Sequence, residues 1–360
     1  MKPIRVLVVD DAVVVRRVVA DTLAADPDFE VVGTAANGRL ALQRLERHDA
    51  DVIVLDLEMP EMNGLETLLA LRRIRPHLPV IIYSTLTEDG AEATLEALAL
   101  GATDYVTKPS GAGSLDLAIR RLKDELLPKL KGLFARPAAA ARQTPPPAPA
   151  GRIDIVVIGA STGGPNALAE IVPSFPSDLP VPILIVQHMP PLFTRRLAER
   201  LAARAEIPIE EGVACQVVAP ARAWIAPGDH HLTVAPQAET VTLQLNQDPH
   251  ENSCRPSVDV LFRSVARLYG PRALAVVLTG MGQDGLRGCQ ELRAAGAQIV
   301  VQDQSSSVVW GMPGVVASAG LADQVLPLAE IGPAIVRRVA ARRSAAGRPR
   351  GPRNPETIGR

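Results

Sequence analysis

The chain has 360 residues, 47% of them hydrophobic, which is long and apolar enough to form two hydrophobic cores. No segment approaches the roughly 20 apolar residues that span a bilayer, and acids follow MKPIRVLVV where a signal peptide would stay apolar, so a cytoplasmic protein without membrane insertion is predicted. The net charge is −1, and acidic residues outnumber basic ones on both sides of a central Pro-rich segment, which argues against a nucleic-acid-binding face.

The first part of the chain alternates apolar runs with amphipathic helical stretches. The runs are IRVLVV, FEVVGTA, DVIVL, PVIIY and DYVT, and the helical stretches lie near 12–25, 38–47, 64–75, 91–100 and 114–133. Unalternating apolar strands separated by helices predict a parallel sheet that is covered on both faces. Residues 1–134 are therefore predicted to form a doubly wound, five-stranded α/β domain with ligand sites at the carboxyl ends of its strands.

Polar side chains stand at those strand ends. Asp10 and Asp11 follow the first strand, Asp56 follows the third, Ser84 the fourth and Lys108 the fifth. Three carboxylates at one edge repel one another unless a hard cation such as Mg²⁺ takes their oxygens. A carboxylate beside that metal can attack phosphorus and form an acyl phosphate, whose oxygens Lys108 and Ser84 are placed to neutralise. Helix capping would explain one of these acids but not the set.

This half resembles the receiver domain of bacterial two-component response regulators over roughly residues 3–125, through VVDD, DLEMPEMNG and TKP. The resemblance implies a flavodoxin-like fold that is phosphorylated in the presence of Mg²⁺, and a cis bond between Lys108 and Pro109. The site residues that it implies are the phosphoacceptor Asp56, the magnesium ligands Asp10, Asp11, Asp56 and the main-chain carbonyl of Glu58, the phosphoryl contact Lys108, and the switch residues Ser84 and Tyr105.

A linker at residues 135–152 divides the chain, because ARPAAAARQTPPPAPAG has no hydrophobic period and contains five prolines. After it, IDIVVIG, VPILIVQ, LAVVLTG and AQIVVQD predict a second, mainly parallel sheet in a three-layer α/β/α domain over residues 153–336.

The segment ARAWIAPGDHHLTVAPQAETVTLQL predicts an appended β-hairpin, with His230 and His231 exposed in its turn. The composition of residues 337–360 predicts a disordered, Arg-rich tail, which is the only part of the chain with the charge to bind a polyanion.

The stretch VVIGASTGGPNAL places Ser161 in a glycine-rich turn between a strand and a helix. A Walker A loop would need Lys-Ser or Lys-Thr after Gly164, and G-A-S-T-G-G does not fit a dinucleotide fingerprint. Residues 159–163 instead read G-x-S-x-G, the pattern of a nucleophile elbow. A serine hydroxyl is a weak nucleophile, so this interpretation requires a histidine and an acid at the same sheet edge.

Candidates for both partners follow neighbouring strands. His188 ends VPILIVQ, Asp284 follows LAVVLTG through a short turn, and Asp303 follows AQIVVQ. Periodicity does not choose between the two acids. The chain order Ser, His, Asp differs from that of α/β-hydrolases, so that fold is not implied.

The three cysteines, Cys215, Cys254 and Cys289, are odd in number and have no C-x-x-C spacing. Their pattern therefore predicts neither a disulfide framework nor a zinc site.

Six motifs make the second half resemble the catalytic domain of protein-glutamate methylesterases, the CheB family of chemotaxis. They are IGASTGGP, VQHMPP, APGDHHL, RPSVDVLF, LTGMGQDG and VVWGMP. The resemblance implies that Ser161 is the nucleophile, His188 the general base and acid, and Asp284 the orienting acid. It also implies that Thr162 supports the histidine and that Met281 supplies a main-chain oxyanion donor.

The activity that this resemblance implies is hydrolysis of glutamate γ-methyl esters on methyl-accepting chemoreceptors, with methanol release, and deamidation of receptor glutamines. It implies no cofactor in the esterase site, a histidine kinase of the CheA type as phosphodonor, and inhibition that phosphorylation of Asp56 relieves. The alternative is a non-catalytic regulator whose second domain only docks on partners. Labelling of Ser161 by a serine-reactive phosphonate would distinguish the two.

Overall fold

The structure, a computed structural model, describes residues 2–108, 115–135 and 151–340. Pro109, with its predicted cis bond, most of the predicted linker and nearly all of the predicted tail lie outside the described residues. Within the described ranges, no helix combines the length and the apolar character that crossing a membrane requires.

The N-terminal domain is the predicted five-stranded parallel sheet, with strand order β2-β1-β3-β4-β5. Its strands are β1 (Ile4–Val9), β2 (Phe29–Ala35), β3 (Val52–Leu55), β4 (Val80–Ser84) and β5 (Asp104–Thr107). Its helices are α1 (Val13–Ala24), α2 (Gly38–Arg47), α3 (Gly64–Ile74), α4 (Glu88–Ala99), α5 (Leu115–Arg121) and α6 (Leu127–Phe134). Every residue of β3 and β4 is buried, because helices cover both faces of the sheet.

Two helix boundaries differ from the prediction. Helix α4 begins at Glu88 and not at 91, because the Thr87 hydroxyl accepts a hydrogen bond from the Gly90 N–H at 3.0 Å and caps an earlier first turn. The helix predicted over 114–133 is interrupted by a π-helical turn at Leu122–Leu126, which joins α5 to α6.

The C-terminal domain contains a seven-stranded sheet in which every neighbouring pair is parallel, with the order β14-β13-β12-β6-β7-β9-β8. The strands are β6 (Ile155–Ala160), β7 (Ile183–Gln187), β8 (Ile209–Glu211), β9 (Ala223–Ile225), β12 (Ala273–Val277), β13 (Gln298–Gln302) and β14 (Gln324–Leu326), and the separate hairpin is β10 (His231–Gln237) with β11 (Thr240–Asn246). The helices are α7 (Gly164–Ile171), α8 (Phe193–Ala202), α9 (Val258–Tyr269), α10 (Leu286–Ala294), α11 (Met312–Ser318) and α12 (Leu328–Ala340).

Alternate residues of β6 enter two different hydrophobic clusters. Val156 and Ile158 pack with residues of α7, α8 and α12, whereas Ile155 and Val157 pack with residues of α9, α10 and α11. Helices therefore cover both faces of the sheet, which confirms the predicted three-layer arrangement.

The predicted hairpin is present but shorter than expected. Residues 223–225 form β9 in the main sheet, beside β7, and only β10 and β11 pair antiparallel. The prediction that His231 is exposed was wrong, because its side chain is fully buried at the start of β10. Its Nδ1 accepts the Ser257 N–H at 3.2 Å, so this imidazole serves the packing of the hairpin.

The two domains pack directly against each other. The Tyr105 ring stacks on Phe193, at the start of α8, with centroids 4.8 Å apart and an interplanar angle of 4°. The Asn166 amide donates to the carbonyl of Ala102 at 3.3 Å. In α6, a methyl group added to Gly132 would lie 3.6 Å from the sulfur of Met281. The receiver therefore contacts the loop that follows β12.

Candidate functional site

Ser161 lies on a tight turn between β6 and α7. Gly163 has φ +77°, in the left-handed region that favours glycine, and this conformation lets the chain reverse before the helix. The Ser161 N–H donates to the Thr279 carbonyl at 3.1 Å, and the Ser161 carbonyl accepts from the Gln187 side-chain amide at 2.9 Å. The main chain of the turn is thereby tied to the ends of β12 and β7.

His188 directly follows β7 and contacts Asp284, which follows β12. The Nε2–H of His188 donates to Asp284 Oδ2 at 2.8 Å. An ionised carboxylate can only accept hydrogen bonds, so this contact places the ring proton of a neutral His188 on Nε2 and leaves the lone pair on Nδ1. The structure therefore brings the predicted base and Asp284 together in the geometry that prepares an imidazole to accept a proton.

The charges of this pair stabilise each other. Burial raises the pKa of Asp284, but hydrogen bonding to His188, its positive charge and nearby main-chain N–H groups lower it below the ordinary range. Burial lowers the pKa of His188, but Cys254, when ionised, and Asp284 raise it above its ordinary value. The site therefore favours the imidazolium that forms when the ring takes a proton.

Asp284 is 2% exposed and is held by donors that sequence reasoning missed. The donors other than His188 are the Asn252 amide at 2.9 Å, the Ser257 hydroxyl at 2.9 Å, and the N–H groups of Val258 at 2.7 Å, Asp259 at 3.1 Å and Gly285 at 3.1 Å. Most lie 25 to 32 residues away in the chain, in the NSCRPSVD segment and the start of α9. The sequence motif RPSVDVLF contains several of these donors, but nothing in its spacing indicated that they would bind Asp284.

Asp303 has a different environment. Its carboxylate accepts from the Ser305 hydroxyl at 2.6 Å and from the Ser306 hydroxyl and N–H at 2.6 and 3.0 Å. These contacts hold the turn after β13, so Asp284 and not Asp303 lies against His188.

Three groups predicted to belong to the site, the Ser161 hydroxyl, the Thr162 hydroxyl and the Met281 N–H, are not hydrogen-bonded to the other site residues. Among residues 2–108, 115–135 and 151–340, the hydroxyls of Ser161 and Thr162 make no hydrogen bond, and the Thr162 hydroxyl is buried. The structure therefore shows no hydrogen bond between Thr162 and His188. The Met281 N–H likewise has no acceptor within the described ranges. The Met281 turn is nevertheless close to the serine, because a methyl group added to Gly280 would lie 2.8 Å from Ser161 Cβ.

The receiver site gathers the predicted acids and Lys108. Lys108 Nζ lies 2.9 Å from Asp10 Oδ2 and 2.8 Å from Asp56 Oδ1. Asp10, Asp11 and Asp56 each present a carboxylate oxygen within 4.8 Å of the others, a donor set that suits Mg²⁺. Burial raises the pKa of Asp56 to about 6, against the opposing effect of Lys108. A divalent cation at the three carboxylates would favour their ionised forms. The side chain of Glu58 is exposed, and its main-chain carbonyl stays a predicted ligand.

The two predicted switch residues, Ser84 and Tyr105, are both buried in the receiver. The Ser84 hydroxyl is buried and donates to the Gly90 carbonyl of α4 at 3.2 Å. Tyr105 is buried against Phe193 of the second domain. Ser84 therefore contacts α4 and Tyr105 contacts the second domain, and their role as switch residues stays a prediction.

The chain matches two families of known proteins. Residues 156–335 match the family described as CheB methylesterase, and residues 6–120 match the response regulator receiver domain. A protein-glutamate methylesterase/protein-glutamine glutaminase of Trichodesmium erythraeum is 48% identical over 351 residues, which cover 94% of this chain and 100% of that protein. One of the same name from Nocardioides sp. is 48% identical over 357 residues, 95% of this chain and 97% of that protein.

A solved structure also resembles the second half of the chain. The crystal structure of the Thermotoga maritima CheB methylesterase catalytic domain has 40% sequence identity and a TM-score of 0.51, and the match covers 52% of this chain and 99% of that one.

Proposed function

Because the chain belongs to the CheB methylesterase family, we propose that it hydrolyses glutamate γ-methyl esters on methyl-accepting chemoreceptors in the cytoplasm and that phosphorylation of its receiver regulates this activity. The observation that carries the proposal is the 2.8 Å hydrogen bond between His188 and Asp284 at the sheet edge that also holds Ser161. A base, its orienting acid and a hydroxyl on a tight turn are the parts that acyl transfer requires.

The reaction would proceed by acyl transfer through Ser161. The serine oxygen attacks the ester carbonyl while its proton passes to His188 Nδ1, and Asp284 stabilises the resulting imidazolium through Nε2. The imidazolium then protonates the leaving methoxide, and methanol departs. His188 next takes a proton from water, which attacks the acyl-enzyme carbonyl. When the second tetrahedral intermediate collapses, the bond to the Ser161 oxygen breaks, the imidazolium returns its proton to that oxygen, and the glutamate carboxylate is released. A glutamine side chain would release ammonia by the same route, so the site also supports deamidation.

The oxyanion of each tetrahedral intermediate needs donors that are not already used. The Met281 N–H meets this condition within the described part of the chain, and its turn is packed beside Ser161. Ser161 also precedes the first turn of α7, where the helix dipole favours negative charge. These features support Met281 as an oxyanion donor.

The close packing of Gly280 against the serine turn can be tested by adding a methyl group at this position. A methyl group at Gly280 would lie 2.4 Å from the sulfur of Met312 and 2.8 Å from Ser161 Cβ. Gly280→Ala is therefore expected to displace the serine turn and lower kcat for ester hydrolysis by roughly 10²-fold, the cost of a misplacement of about 1 Å. Gly33→Ala, which meets only ordinary contacts in β2, is the matched control. Equal kcat values for the two variants would contradict the proposed packing.

The receiver would control this site through Asp56. Asp10, Asp11, Asp56 and the Glu58 carbonyl would hold Mg²⁺, which when bound neutralises the carboxylates and the incoming phosphoryl oxygens. Asp56 attacks the phosphorus of a phosphodonor, here proposed to be the phosphorylated histidine of a kinase of the CheA type. The bond from phosphorus to the histidine nitrogen breaks, the imidazole leaves, and Lys108 contacts the acyl phosphate. Ser84 and Tyr105 are the proposed switch residues.

Occlusion of the esterase site by the receiver is supported by the domain contacts. Tyr105 stacks on Phe193, and Gly132 of α6 lies beside Met281, the proposed oxyanion donor. A receptor helix would have to approach the same side of the sheet. We therefore propose that phosphorylation shifts the population toward a state in which these contacts are broken.

Removal of the receiver should release the activity. If the open state of the unphosphorylated chain is populated at about 0.1–10%, residues 152–360 alone should hydrolyse receptor ester about 10- to 1000-fold faster than the full chain. Phosphodonor with Mg²⁺ should close this difference in the wild type but not in Asp56→Asn. Equal rates of methanol release from fragment and full chain, unchanged by phosphodonor, would contradict occlusion.

Covalent labelling distinguishes catalysis from the docking alternative. In a fragment of residues 152–360, a small serine-reactive phosphonate should label Ser161, because only an activated hydroxyl attacks the phosphonate. Peptide mass analysis would identify the labelled residue. The fragment Ser161→Ala should remain unlabelled. Labelling spread over exposed serines, or equal labelling of the two fragments, would favour a non-catalytic regulator.

A further inference from the structure

A thiol lies against the proposed catalytic imidazole. The sulfur of Cys254 is 3.5 Å from His188 Nδ1, although the two residues are 66 positions apart in the chain. Both side chains are partly exposed, so solvent reaches them. The cysteine spacing predicted no zinc site, and it gave no sign of this pair, because the partner of the thiol is a histidine that follows β7 and not another cysteine.

The distance between the two atoms suits a shared metal ion. Zinc binds cysteine sulfur at about 2.3 Å and histidine nitrogen at about 2.0–2.1 Å, and a tetrahedral angle between these bonds separates sulfur and nitrogen by about 3.6 Å. The observed separation is 3.5 Å. A tetrahedral ion could therefore bind both atoms with little movement of either residue.

The other ring nitrogen is arranged as in metal-binding histidines. His188 Nε2–H donates to Asp284 Oδ2 at 2.8 Å, which leaves the Nδ1 lone pair facing the thiol. A carboxylate that accepts from the second ring nitrogen fixes the tautomer and raises the basicity of a histidine ligand. His188, Cys254 and Asp284 present potential ligand atoms within 4.8 Å of one another.

We propose that Cys254 and His188 form a binding site for Zn²⁺, with Asp284 as the carboxylate that orients the histidine, and that Zn²⁺ at this site inhibits the enzyme. On binding, the Cys254 thiol loses its proton to solvent, its sulfur and His188 Nδ1 each bind the ion, and no oxidation occurs. The lone pair that would take the Ser161 proton is then occupied. The inhibition rests on the proposed function, whereas the metal site does not.

The metal site is tested spectroscopically, without an activity assay. Co²⁺ added to the full reduced chain should produce a thiolate-to-cobalt charge-transfer band, which carboxylate ligands in the receiver cannot give. Cys254→Ala and His188→Ala should abolish the band, while Cys215→Ala, which removes an exposed thiol, should keep it. Absence of the band in the wild type, or its survival in Cys254→Ala, would overturn the site.

Zinc affinity and inhibition complete the test. In competition with a chromogenic chelator, Asp284→Asn should weaken Zn²⁺ binding by about 10- to 100-fold, the usual effect of losing a carboxylate that supports a histidine ligand. Zn²⁺ should inhibit methanol release by the phosphorylated wild type and by Cys215→Ala, and EDTA followed by excess Mg²⁺ should restore it. Cys254→Ala should require at least about tenfold more Zn²⁺ for half-inhibition, relative to its own metal-free rate.

Equal sensitivity of Cys254→Ala and the wild type to Zn²⁺ would refute the inhibition. A chain that gives the cobalt band but releases no methanol would keep the metal site and refute the proposed function, so the two failures are distinguishable.

Discussion

Ser161→Ala is expected to lower kcat for methanol release by roughly 10⁶-fold, the loss seen when the nucleophile of a complete triad is removed. The fold should remain intact, because the hydroxyl makes no hydrogen bond within the described part of the chain and the main-chain contacts of residue 161 to Thr279 and Gln187 persist. Methanol release by the phosphorylated chain and the thermal unfolding midpoint measure the two parts of this prediction.

A matched control variant distinguishes the loss of the nucleophile from the effect of replacing any serine by alanine. Ser177 is exposed, and its side chain makes no hydrogen bond among the described residues. Ser177→Ala should retain the wild-type rate. A purified Ser161→Ala that released methanol at a near-normal rate would exclude Ser161 as the nucleophile.

Asp284→Asn is expected to lower kcat by up to about 10⁴-fold, because asparagine keeps the shape of the side chain but loses the charge that stabilises the His188 imidazolium. It should also destabilise the fold. Both Asp284 oxygens accept from N–H donors, including the Val258 N–H on Oδ2 and the Asp259 N–H on Oδ1. An amide must turn its NH₂ group toward one of these donors, at a cost of about 1–3 kcal/mol.

Asp303→Asn is the comparison that tests this assignment. Its carboxylate holds the turn of Ser305 and Ser306 and does not reach His188, so we expect less than a tenfold change in kcat and a loss of about 1 kcal/mol in stability. Steady-state kinetics with denaturant unfolding of both variants measure these effects. A crippled Asp303→Asn beside a nearly normal Asp284→Asn would reverse the roles of the two acids.

The fold was predictable from the sequence because its strands are strongly patterned. Runs such as VLVV and IVVIG are apolar at every position, as expected of strands buried on both faces, and glycines and acids mark where they end. The edge strands β8 and β14 were missed since each has only three residues, and β9, which is equally short, was assigned to the hairpin. His231 was misplaced because a polar residue next to a turn looks exposed, whereas the Ser257 N–H satisfies its ring inside the core.

The site residues were predictable from the sequence only where they directly follow a strand of the sheet. Ser161, His188 and Asp284 follow β6, β7 and β12, which are neighbours in the sheet, so their strand positions bring them to one edge. Asn252 and Cys254 reach the same edge from an irregular segment, which has no period to read. Their positions depend on tertiary packing against α9, and a single sequence does not encode that packing in a local pattern.

Methanol release from methylated chemoreceptors is the measurement that decides whether this chain is a phosphorylation-regulated ester hydrolase. The full chain with phosphodonor and Mg²⁺ should release methanol in step with the loss of receptor methyl esters, and much faster than without phosphodonor. Methanol release no faster than in a reaction containing Ser161→Ala, with the receptor esters intact and Asp56 shown to be phosphorylated, would show that the chain is not such a hydrolase.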